Sequence, residues 1–119
     1  MLVEQLLIKN EKVDKEVGGE GFDLVFAFAE GDTLGQPGWF DNIKNIYPGA
    51  TVVGCSTSGN IYDTEVAENS VAVSAVKFER SHIKTAFSEN VNPESSFDVG
   101  ATLAKSLLDT GLKHILVFS

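Results

Sequence analysis

Two apolar runs constrain the fold of this chain more than any other feature: Asp23-Leu24-Val25-Phe26-Ala27-Phe28-Ala29 and Thr51-Val52-Val53-Gly54-Cys55. Neither alternates between apolar and polar residues, the pattern of strands covered on both faces. Between them, Glu30 to Gly38 is a polar loop bearing Gly and Pro. Trp39, Ile43 and Ile46 then recur at helical spacing, with Phe40 and Tyr47 widening the apolar face. Pro48-Gly49 ends that helix, because proline has no N–H for the ladder. Strand, helix and strand in about 32 residues predict a βαβ unit with a parallel pair.

The flanking segments add further elements. Leu2 with Leu6, and Val3 with Leu7, are spaced four apart, which predicts a helix over 2–16. Gly18-Gly19-Glu20-Gly21 precedes a strand instead of joining strand to helix, so it is read as a turn and not a phosphate loop. Ser56 to Asn69 is a polar stretch. Val71 to Phe78, the turn Glu79-Arg80-Ser81, and His82 to Ser88 with Ile83, Thr85 and Phe87 on one face predict an antiparallel hairpin. Pro93-Glu94-Ser95 opens a helix in which Ser95 and Asp98 form a capping box. Phe97, Ala101, Ala104 and Leu108 make its stripe, flanked by Gly100, Leu103 and Leu107, and Gly111 supplies a left-handed stop. His114 to Phe118 is a last strand. The expected fold class is α/β: a mixed parallel/antiparallel sheet of about five strands with flanking helices near 2–16, 39–47 and 96–110. Residues 1–119 form a single domain in this reading, and a buried-type strand with no continuation marks it as a partial one.

Composition narrows the function. The 43% hydrophobic and 22% charged residues suit a packed core. The net charge is −8, and the single Arg80 with eight scattered lysines forms no basic stripe, so nucleic acid is not an expected partner. Cys55 is the only cysteine, which excludes an intrachain disulfide. Leu6-Leu7-Ile8 is too short for a signal segment and is followed by Lys9. No apolar run reaches the roughly 20 residues of a membrane span. A cytoplasmic location and no membrane partner are expected.

The chemically distinctive segment is Gly54-Cys55-Ser56-Thr57-Ser58-Gly59-Asn60, at the carboxyl end of the second run. Open α/β sheets bind ligands at that end. Gly54 and Gly59 let backbone approach a ligand closely, and Ser56, Thr57 and Ser58 with the local N–H groups can hydrogen-bond a carboxylate, phosphate or amide. A tight turn satisfied by its own hydroxyls accounts for the same residues, so both readings stay open. The hydrolase elbow G-x-S-x-G is broken, because Ser58 stands where glycine is required. Cys55 could act as a nucleophile with His82 or His114 as base, yet a free cysteine at a strand end ordinarily packs as a small apolar residue. One Cys and two distant His give no zinc spacing, and Asp63, Glu65 and Glu68 read as a solvated acidic surface. Trp39 and Phe40 suit a core stripe better than a pocket wall. No catalytic residue, metal or cofactor is expected.

The run from Tyr47 through Pro48-Gly49-Ala50-Thr51-Val52-Val53-Gly54-Cys55-Ser56-Thr57-Ser58-Gly59-Asn60 to Ile61 resembles the hallmark of the FIST domain. Asp23 to Phe28 is similar to that family's first strand, Ser70 to Phe78 to the strand after the signature, Gly100 to Leu108 to a following helix, and Ile115 to Ser119 to a final strand. The resemblance implies the N-terminal portion of a sensory domain that binds small ligands, amino acids in particular. Such domains work with a signalling output partner, which here is a separate protein or a missing C-terminal domain. The chain departs from the family pattern at Ser58, where Ala is usual, and at Asn60, where an acidic residue is usual. Loss of that carboxylate removes one partner for a cationic group of a ligand. The expected function is therefore intracellular sensing of a small polar metabolite at Gly54–Asn60, without catalysis. The alternatives are a cysteine-nucleophile enzyme using Cys55 and a protein-interaction module that binds no ligand.

Overall fold

Strand pairing, and not the helical spacing of its leucines, decides the conformation of the N-terminal segment. A computed structural model describes residues 1–89 and 92–118. In chain order the elements are β1 (Leu2–Lys9), β2 (Lys12–Val13), β3 (Leu24–Ala29), α1 (Gly31–Leu34), α2 (Trp39–Ile46), β4 (Thr51–Ser56), β5 (Asn60–Tyr62), β6 (Glu65–Ala67), β7 (Val71–Lys77) and α3 (Ser96–Leu107). The helix expected over 2–16 is thus a hairpin: β1 runs antiparallel to β7 from Leu2↔Lys77 to Ile8↔Val71, and β2 folds back on β1. The i, i+4 leucines are equally compatible with alternation, because Leu6 and Ile8 point to one face and are buried there. A long ladder with β7 outweighs the weak local preference for helix.

The main sheet has the order β2-β1-β7-β3-β4. β3 and β4 are parallel, as the strand–helix–strand pattern predicts, and the other pairs are antiparallel. The α/β class with a mixed five-stranded sheet holds. β5 and β6 form a separate antiparallel pair within the stretch read as polar loop. Ile61 and Val66 are directly opposite across an Asp63-Thr64 turn, a β-branched signal masked by the polar residues around it.

One face of the main sheet carries the core. Leu6, Ile8, Val25, Ala27, Ala29, Val71, Val73 and Ala75 cluster with Ile43 and Tyr47 of the α2 region. Tyr47 is fully buried, with its ring edge-on to Phe22 at 4.9 Å between centroids and its hydroxyl 3.3 Å from Glu4 Oε2. Burial and the adjacent Glu4 carboxylate both push the Tyr47 phenol well above its ordinary value, so it stays neutral. Gly18 belongs to the same corner. Its N–H donates to Glu4 Oε2 at 3.0 Å, and a Cβ at its position would stand 2.4 Å from Ile46 Cγ2. The glycine cluster is a turn, as expected, and its first member lets the chain pass directly over the end of α2.

The opposite face is more open. Phe26 and Phe28 are half-buried and stacked 6.4 Å apart, and Phe118 packs against both at 6.1 Å. β3 is central in the sheet, but its two faces differ in cover, so an unbroken apolar run does not require burial on both sides. β4 departs further from expectation. It is an edge strand with Gly54 and Ser56 exposed, where the sequence predicts a buried strand. Valines suit either position, because β-propensity reflects fit to a pleated surface more than depth.

The chain divides into two compact units, Met1–Ser81 with Phe118, and His82–Val117. In the second unit α3 forms close to where it is expected, but it ends at Leu107 and not near 110. Leu108 turns the chain to extended geometry (φ −56°, ψ 130°), and Gly111 does not adopt a left-handed stop. The capping box is absent as well: Ser95 makes no side-chain cap, and its N–H donates to Asn92 Oδ1 at 2.8 Å. Asparagine at position 92 competes for the same turn, since its side chain reaches a backbone N–H a few residues on. No residue of α3 is buried, and Phe97 of the expected stripe is 83% exposed.

The strands expected over His82–Ser88 and His114–Phe118 do not form among the described residues. Alternation supplies a face, but a strand exists only with a hydrogen-bonded neighbour, and these segments pair with none. Ser119, part of the last expected strand, lies outside the described residues. None of the described helices is long and apolar enough to cross a membrane.

Candidate functional site

The signature segment straddles three local structures. Gly54, Cys55 and Ser56 end β4, Thr57, Ser58 and Gly59 make the turn, and Asn60 begins β5. Parallel pairing carries β3 and β4 to a common carboxyl end, with Ala29 opposite Ser56, and the ladder extends one step as Thr57 N–H donates to Ala29 O at 2.8 Å. Gly54 sits deeper in the strand, opposite Ala27. A Cβ built there would stand 1.8 Å from Ala27 O and 2.8 Å from Ala27 C, closer than any real contact. Glycine at 54 therefore serves the approach of β3 to β4. Gly59 has nothing within 4 Å of its Cβ position.

Asn60 is the fixed point of the loop. It is 3% exposed, its Oδ1 accepts the Thr57 hydroxyl at 2.8 Å, and its Nδ2 donates to Ser70 O at 2.8 Å. An acidic side chain could not make the second bond, so the departure from the family pattern has a use within this chain's own fold. The neighbouring Ser70 hydroxyl is buried and has no hydrogen-bond partner among the described residues.

Thr57, Gly59 and Asn60 line a hollow of about 250 Å³ whose other walls are Phe28, Ile61, Ala72 and Ser74. It therefore joins the turn and the start of β5 to the open face of β3 and β7. Of the seven candidate ligand residues these three border it, whereas Gly54, Cys55, Ser56 and Ser58 do not. Thr57 donates its proton to Asn60, which leaves its oxygen lone pairs as acceptors toward the hollow. The N–H groups of Ser58 and Gly59 have no acceptor among the described residues. The loop can thus offer an acceptor and two donors within a few residues of each other.

Cys55 is a free, half-buried thiol on β4, in register with Phe28. His82 and His114, the bases considered for it, are both exposed and belong to the unit His82–Val117. Trp39 packs on the core from the start of α2 and donates its indole N–H to Leu34 O at 3.0 Å, while Phe40 is exposed.

The β5–β6 hairpin, whose β-branched signal is masked by polar neighbours, is tied to the far edge of the sheet. Tyr62 donates its hydroxyl to Asp14 Oδ2 at 2.6 Å, Leu7 N–H donates to Asp14 Oδ1 at 2.8 Å, and Lys15 lies 5.6 Å from the Tyr62 ring centre. Partial burial pushes the Asp14 carboxyl up, but the Leu7 N–H, the Tyr62 hydroxyl and the Lys15 ammonium together outweigh it and hold the group below its ordinary value of 3.8. A depressed carboxyl stabilises above the unfolded-state pKa, and that contribution is lost as pH falls through the lower folded value. Amide protection of residues 60–67, taken relative to the intrinsic exchange rate at each pH, should therefore fall in Tyr62→Phe at neutral pH, and in the parent below about pH 4. Unchanged protection in both would show that the tie does not hold the hairpin.

A family model described as the FIST N domain matches residues 23–119, which takes in β3 onward and the whole of the candidate loop. Neither curated proteins nor solved structures gave a match to the chain. The match covers well over half of the sequence and the signature run Tyr47–Ile61 falls inside it: the chain belongs to the FIST family of signal-transduction sensory domains.

Proposed function

We propose that this chain is an intracellular module that senses a small polar metabolite, with amino acids as the leading class, at the Gly54–Asn60 loop. It passes occupancy to a signalling output partner, either a separate protein or a further domain, and performs no catalysis itself. One observation carries the reading: the buried Asn60 braces Thr57 at the mouth of a hollow at the carboxyl end of the parallel pair. Its volume suits a metabolite of a few heavy atoms. The unpaired Gly59 N–H receives the anionic group of the ligand, and the Thr57 oxygen receives its ammonium or amide N–H.

Thermal melts with a panel of amino acids and small carboxylates test this. A ligand at about a hundred times its dissociation constant adds roughly 2.7 kcal/mol of stability. For a chain of this size that is an upward shift of about 10 °C. The shift should survive Ser56→Ala, whose side chain is exposed outside the hollow, and vanish in Thr57→Val. A cooperative melt that no compound moves would overturn the loop as a ligand site and favour a docking role.

A further inference from the structure

A second hollow of the sheet-bearing unit, about 510 Å³, lies at the carboxyl end of β1 beside the segment joining α1 to α2. Ile8, Val71 and Trp39 form its apolar part, and Asn10, Glu11 and Asn69 its rim. The rim is built from unusual backbone. Four non-glycine residues of the described chain are left-handed, and three of them are these: Asn10 at φ 50°, Glu11 at 61° and Asn69 at 51°. Asparagine tolerates that region, but glutamate does not, and a two-residue hairpin turn of this kind ordinarily takes glycine second. Glu11 is a local rule broken, and such outliers gather at functional sites.

The Glu11 carboxylate is also available. Among the described residues it accepts no hydrogen bond, and the single ion pair, between the Met1 amino group and Glu79, does not involve it. A Cβ at Gly38 would stand 2.9 Å from Glu11 Oε1, so the carboxylate rests against the residue that precedes Trp39. Glu11 and Trp39 both line the hollow. Lys9 also borders the hollow, but it follows Ile8 in β1. Ile8 packs in the core, and successive strand residues alternate in face, so the two residues border the hollow from different sides of β1.

We infer that this hollow is a second ligand site, separate from the signature loop, and that it takes a small organic ammonium compound with an apolar or aromatic body. Glu11 receives the ammonium, the Trp39 indole adds cation–π attraction, and Ile8 and Val71 floor the apolar part. The net charge of −8 raises the local concentration of cations. This inference does not depend on the loop binding anything.

The test titrates phenethylammonium into the chain, with 3-phenylpropionate as a probe of similar shape and opposite charge. Trp39 is the only tryptophan, so its fluorescence and its indole N–H resonance both report on this hollow. The amine should perturb Trp39 and the Asn10–Glu11 amides while leaving Ser58 to Asn60 unmoved, and 3-phenylpropionate should perturb neither set. Glu11→Gln should weaken amine binding about 10-fold. Trp39→Phe, which keeps a ring on the core, should weaken it less. Four results each overturn the proposal: no response at millimolar amine, equal binding of the carboxylate, perturbation confined to the loop, or an unchanged dissociation constant in a folded Glu11→Gln.

Discussion

Gly54→Val should remove most of the stability of the sheet-bearing unit. The position that a Cβ must occupy lies 1.8 Å from Ala27 O and 3.2 Å from Ala27 N, and both are backbone atoms of the strand β4 pairs with. A flexible side chain could swing aside, but a paired central strand cannot, because β3 is held on its other flank by β7. Relief therefore requires β4 to move away and break its ladder with β3. The expected cost is at least ~3 kcal/mol, beyond ordinary core overpacking. A small domain has only about 5–15 kcal/mol in total, so a melt followed by circular dichroism should show a loss of more than ~10 °C. Gly59→Ala is the matched control. Nothing lies within 4 Å of its Cβ position and its φ is not left-handed, so its melt should stay within about 0.5 kcal/mol of the parent. A Gly54→Val protein that melts like the parent would show that β3 and β4 do not approach as described.

Asn60→Ala should be the next most damaging change, and it separates two readings of the signature loop. Both polar atoms of Asn60 are spent within the protein, one on Thr57 and one on the carbonyl of Ser70. Truncation leaves the buried Ser70 carbonyl without that donor, beside a Ser70 hydroxyl that already lacks a partner. An unsatisfied buried group costs about 1–3 kcal/mol, and the space left behind adds to it. A loss of about 2–3 kcal/mol is expected, or roughly 10 °C in the melt. If the melt is unchanged while ligand response disappears, Asn60 is a ligand contact and not a brace. If both fall together, the bracing role stands, and Thr57→Val is the cleaner test of binding.

The sequence by itself determined the parts whose information is local. The βαβ unit from β3 through α2 to β4 follows from two apolar runs, an amphipathic helix and a proline that stops it. The parallel pair appears where that order requires it. The signature around Gly54–Asn60 was legible as the segment that carries the family resemblance, and the family match includes it. α3 was also legible, because a 12-residue amphipathic segment carries its own period.

Only the tertiary structure decided the rest, and in each case a distant partner supplied the reason. Residues 2–9 are a strand because β7 offers a ladder some seventy positions along the chain, which local leucine spacing cannot reveal. Gly54 proved to be needed by Ala27, and Asn60 by Ser70. Tyr62 reaches Asp14 to secure a hairpin that composition hid. The segments 82–88 and 114–118 carry strand patterns without becoming strands, since a backbone needs a partner edge and the pattern alone supplies only a face. Local periodicity is a property of neighbouring residues. Pairing, close approach and the satisfaction of buried polar groups belong to residues that the fold alone brings together.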